Sequence, residues 1–170
     1  MEKYLDVPVS ALVVSGETTA DGTATDKLTD SAADFVAAGV KPGDIVHVSD
    51  TNVNEYLTVV AVDSATVLSV SDGVDTGLDF FIHSSTDFNN QLISVTDVLI
   101  MEQEATDNDK LDITYEGGKK VTLIFEAAAS GSEELRDIFQ DAMTAALATA
   151  WTEVVHPVRP SSSVIGVSFS

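Results

Sequence analysis

Short runs of Val, Ile, Leu and Thr, broken by turn residues, recur through the first 90 residues of the chain. Tyr4–Val9 and Ala11–Ser15 read as strands, with Pro8 and Ser10 interrupting them. Proline lacks an amide donor, which places the first run at a sheet edge or a strand end. Gly16–Thr25 is polar, and Asp21-Gly22 marks a turn. In LTDSAADFVAAGV, Thr29 or Asp30 is the expected cap of a short helix over Ser31–Ala38, with Gly39 just past its end. Leu28, Phe35, Val36 and Val40 are expected to pin that helix onto a sheet. Lys41-Pro42-Gly43-Asp44 fits a type II turn, since proline sets φ at the second position and glycine accepts a positive φ at the third. Further strands are predicted at Ile45–Val48, Glu55–Val62, Thr66–Val70 and Leu78–Ile82. Their short connections favour an antiparallel meander closing into a small barrel or sandwich.

The pattern changes near Ser84–Gln91. Leu92–Met101 reads as one strand, and Leu111–Tyr115 and Val121–Phe125 as a hairpin turning at Gly117-Gly118. Ser130-Gly-Ser-Glu133 has the form of a capping box opening a helix over about 131–149. Leu135, Ile138, Phe139, Ala142, Met143 and Ala146 recur at helical spacing, opposite Glu134, Arg136, Asp137 and Asp141. Val164–Phe169 makes a last strand. The expected fold is mainly β: a β-barrel or sandwich module over 1–90, then a β-β-β-α-β, α+β module over 91–170.

Composition narrows the function classes. A chain of 170 residues with 44% hydrophobic residues can bury a real core. No apolar run is long enough to span a bilayer and the N-terminus lacks a signal-peptide core, so a soluble, unprocessed chain without membrane contact is expected. Cysteine is absent, which excludes disulfides and thiolate metal sites. The net charge of −20 is spread along the chain, −12 over residues 1–90 and −8 over 91–170. Such a surface repels phosphate backbones, so no direct nucleic-acid binding is expected.

Motifs for catalysis are not apparent. His47, His83 and His156 lack metal-ligand spacing and read as ordinary surface or half-buried residues. The acidic run Glu102–Asp109 does not make an EF-hand. Counted from Asp107, the sixth and twelfth positions hold Asp112 and Gly118 where glycine and glutamate are required. There is no Gly-x-Ser-x-Gly elbow and no Ser-x-x-Lys, and Gly117-Gly118-Lys119-Lys120 lacks phosphate-loop spacing. One Trp and three Tyr leave few platforms for stacking sugars. The expectation is therefore no enzyme, no catalytic residue, no cofactor and no metal. Contact residues are expected instead. Tyr4, Leu5, Val7 and Val9 lie on a terminal strand with an edge to offer, and Leu147 and Trp151 lie partly off the helical stripe.

The phrase KLTDSAADFVAAGVKPGDIVHVSD, followed by TVVAVDSATVLSVS, resembles a module of structural proteins of tailed bacteriophages, marine and cyanobacterial phages especially. Leu28, Asp30, Phe35, Val40, Pro42, Gly43, Asp44, Ile45, Val46, Val62 and Leu68 carry the likeness, over about a quarter of the chain. YEGGKKVTLIF, the capped helix and the last strand are similar to small virion proteins of such phages. The resemblance implies a virion structural protein made in the host cytoplasm, foremost a capsid decoration or cement protein. Its partners would be the major capsid protein or other virion proteins, and further copies of itself, trimers first. A neck, tail or baseplate component is the alternative, followed by a carbohydrate-binding tail accessory and a calcium-binding adhesin domain.

Overall fold

The computed structural model describes residues 2–170 except 51–52, 105–108, 127–133, 151, 159 and 161. In chain order the elements are β1 Tyr4–Val7, β2 Ser10–Glu17, β3 Lys27–Thr29, α1 Phe35–Ala38, β4 Ile45–Asp50, β5 Val53–Val62, β6 Val67–Val70 and β7 Asp79–Phe88. They continue with β8 Gln91–Ser94, β9 Val98–Gln103, β10 Lys110–Tyr115, β11 Lys120–Phe125, α2 Glu134–Ala148, β12 Val155–Pro157 and β13 Val164–Phe169. The fold is mainly β, with a helix followed by strands near the C-terminus, as the hydrophobic pattern predicts.

Two compact units form. One is Ser10–Asp87; the other joins Met1–Val9 to Phe88–Ser170. This differs from a division at 90/91, because β1 leaves the N-terminal module. Its Leu5 and Val7 are fully buried with Ile93, Leu111, Leu123 and Phe139 of the second unit.

In the Ser10–Asp87 unit six strands pair in the order β2-β7-β4-β5-β6-β3, and the sheet curls into a half-barrel. Beyond β2 the chain comes round to β3, where the Thr19 amide donates to the Thr29 carbonyl at 2.7 Å and Ala20 bridges Thr29. Leu28, Phe35, Val46, Leu68, Phe80 and Ile82 fill the concave side, with the Phe35 and Phe80 rings 5.9 Å apart. The residues expected to anchor α1 divide: Leu28, Phe35 and Val40 are buried, whereas Val36 points to solvent. Four helical residues present only one inward face. The cap of α1 is Asp34, whose carboxylate accepts from the Ala37 amide at 2.9 Å. Asp30, the expected cap, instead accepts from the Ala32 amide two residues on, at 2.8 Å. The Lys41–Asp44 turn closes through the Asp44 amide and the Lys41 carbonyl at 3.1 Å, with Gly43 at φ 93°.

The second unit has a four-stranded sheet, β13-β11-β10-β9, and a three-stranded one, β12-β1-β8. α2 packs Leu135, Phe139, Met143 and Ala146 into the core they share, and Phe125 meets Phe139 edge to face at 6.0 Å. The run predicted as one strand, Leu92–Met101, is two. Asp97 takes a left-handed φ of 61° and turns the chain from β8 to β9, which lie in different sheets. The expected β-β-β-α-β pattern appears here with β12 added after the helix. The capping box Ser130–Glu133 falls outside the described residues. At its other end α2 has no basic residue in its last turn. Lys3, leading into β1, supplies one. Its buried ammonium donates to the carbonyls of Ala146 and Thr149 and to the Thr149 hydroxyl. It thus meets the helix dipole and satisfies its terminal carbonyls.

Candidate functional site

β1 is the central strand of its sheet, so it offers no free edge. It pairs parallel with β12, Tyr4 opposite Val155, and antiparallel with β8, Tyr4 opposite Ser94. Of the expected contact residues, Leu5 and Val7 are core, and Tyr4 and Val9 are half-buried. Leu147 is 63% exposed, and Trp151 lies outside the described residues. The structure therefore does not gather these six side chains into one surface.

Strand register creates two surfaces that linear sequence hides. On the convex side of the half-barrel, His47 of β4 stands opposite Tyr56 of β5 and Phe81 of β7. The His47 and Tyr56 rings stack at 4.7 Å with 10° between planes, and Phe81 lies 6.0 Å from His47. The imidazole Nε2 also meets Asn54 Oδ1 at 2.8 Å. In the next row along β4 and β7, Ile45 faces His83. Burial holds the His83 pKa below the ordinary histidine value, as does repulsion from His47, against a hydrogen bond to the Ser10 backbone. His83 is neutral at pH 7.

The second surface lies in the other unit, a groove of about 430 Å³ beside β8. Leu92, Tyr115, Val121 and Phe169 form its apolar walls, with Tyr4 at one side and Lys119 at the rim. Leu92 and Phe169 are 55% and 66% exposed. The Tyr115 hydroxyl donates to the Ser94 carbonyl at 2.9 Å, and burial pushes its pKa up to about 12. No signal in the linear sequence marks this groove, because its walls come from β1, β8, β10, β11 and β13.

The three histidines do not converge. His156 bonds Thr149 and the Glu153 carbonyl in the second unit, away from the His47–Tyr56 stack. Among the described residues no three His, Cys, Asp or Glu side chains are grouped to hold a metal. Of the acidic run, Glu102 and Glu104 project on the outer face of the four-stranded sheet with Lys110, Asp112, Lys120 and Thr122. Lys110 pairs with Glu104 at 3.1 Å and Lys120 with Asp112 at 2.7 Å. Burial works against the Asp112 charge, but donation from Lys120 and Thr122 outweighs it and lowers the pKa. This is an ion-pair ladder across a sheet, with each cation answered by a carboxylate.

No protein-family model and no curated protein matches the chain. Among solved structures, one similarity is to "Phage phi92 endosialidase", at 15% sequence identity and a TM-score of 0.25. The match spans 75% of this chain and 22% of the other. At that TM-score it establishes neither fold nor activity.

Proposed function

We propose that the chain is a structural protein of a tailed-phage particle, foremost a capsid decoration or cement protein bridging shell subunits. The observation that carries this reading is how the phage-like phrase is used. Leu28, Phe35, Val46 and Leu68 are core, and Gly43 makes the turn. Asp44, 1% exposed, accepts from the Lys41 and Ser85 amides at 2.8 and 3.1 Å. The residues of the resemblance are thus spent on a rigid module, and such a module serves as a building block by repetition and shape. A sugar-binding role draws less support. Tyr56 and His47 stack on each other, so those faces are not offered to a pyranose ring.

Imaging of intact particles of the encoding phage, at a resolution that traces chains, tests the proposal. The expected result is both units repeated over the shell. Placement in the neck, tail or baseplate would keep the particle role and replace decoration with the alternative. Absence from purified particles would overturn the reading.

A further inference from the structure

The free edge of β8 is built to be covered. The Asn89 amide donates to the Val9 carbonyl at 2.7 Å and the Val95 amide to the Lys3 carbonyl at 3.0 Å. With the register Leu5–Ile93, these bonds fix the antiparallel alternation, so Gln91 and Ile93 turn their backbone groups toward β1. The amide and carbonyl of Leu92 therefore point away from the sheet, and neither has a partner among the described residues. Its side chain stands 55% exposed beside the groove.

Natural sheets usually protect such an edge with lysine, proline or an inward charge. Here the segment FNNQLISVT, residues 88–96, has no charged residue, although 21% of the chain is charged. For a chain of net charge −20, this is where another polyanion of the same kind can approach without opposing carboxylates.

We infer that the β8 edge is the docking surface for a second copy of this chain, paired antiparallel about a two-fold axis through Leu92. Leu92 of one copy exchanges both backbone hydrogen bonds with Leu92 of the other, and Asn90 falls opposite Ser94. The two three-stranded sheets become one of six strands, and the two Leu92 side chains meet on one face. The nearest carboxylates on that face are the two Asp6 groups, each beside Leu92 in the register. Three strand spacings hold them about 14 Å apart, beyond the Debye length of about 8 Å at physiological salt. This inference is independent of where the protein works, and it replaces the trimer with a two-fold pair.

Sedimentation of the full chain over a concentration series tests it, with two variants. Leu92→Lys puts a charge at the axis. Leu92→Pro deletes the outward amide, which β8 does not use within its own sheet. The expected result is a monomer–dimer equilibrium that tightens from about 0.01 M to about 1 M salt, as the Debye length falls from about 30 to 3 Å. Both variants weaken it by at least about tenfold, with the melting of dilute monomer unchanged. A wild-type chain that stays monomeric, a trimer, or a dimer indifferent to both substitutions would overturn the inference.

Discussion

Lys3 shows how one side chain ties distant parts of a unit together. Its ammonium is buried against the last turn of α2, and three oxygen atoms receive its protons. Lys3→Met keeps the stem and strands the Ala146 and Thr149 carbonyls, so urea denaturation of the second unit should show a loss of about 2–3 kcal/mol. His83 gives a pH signature. Its folded pKa lies below the ordinary value of about 6.5, so the unfolded chain binds its proton first as acid is added. Stability from this residue is complete above that value and declines as pH falls below it toward the folded pKa. Thermal melts from pH 7.5 to 5.5 should show the decline, and His83→Phe should remove that component. Tyr115 works at the other end. With its folded pKa near 12, it contributes stability that is present below pH 10 and lost as pH rises from there. Tyr115→Phe should flatten that alkaline loss.

Within elements, local chemistry was largely legible. The strands β4, β5, β6, β10, β11 and β13 follow from β-branched runs between turn residues, and the Pro42-Gly43 turn from its own stereochemistry. Two glycines separate the causes. Gly43→Ala meets only a φ of 93°, with the nearest atom at 3.6 Å, and should cost about 1–2 kcal/mol. Gly22→Ala would place Cβ 1.9 Å from the Lys27 carbonyl oxygen, forcing the backbone apart. It should be the more damaging change by thermal melting. What the sequence hid is non-local. Val155–Pro157 is too short to announce a strand, and becomes one only because β1 lies beside it. Asp97 splits an apolar run that reads as continuous, since a left-handed aspartate has no hydrophobic signal. The stacked His47–Tyr56 pair requires the β4–β5 register, which no single strand contains.

At the scale of the molecule, the same non-locality reverses one expectation. Read linearly, Tyr4–Val9 is a dispensable terminal edge whose deletion leaves the fold intact. In the structure that segment is the middle strand of a sheet, contributes Leu5 and Val7 to the core, and follows the lysine that caps α2. Deleting residues 1–10 should therefore unfold the second unit. In heteronuclear NMR the signals of residues 88–170 should collapse toward random-coil positions; retention of their dispersion would show that β1 is peripheral. The proposed particle role is a statement about abundance and place. Densitometry of purified particles against the major shell protein measures it most directly. A decoration protein predicts copies in a fixed ratio to shell subunits. A handful of copies per particle would contradict decoration, and none would contradict a virion role altogether.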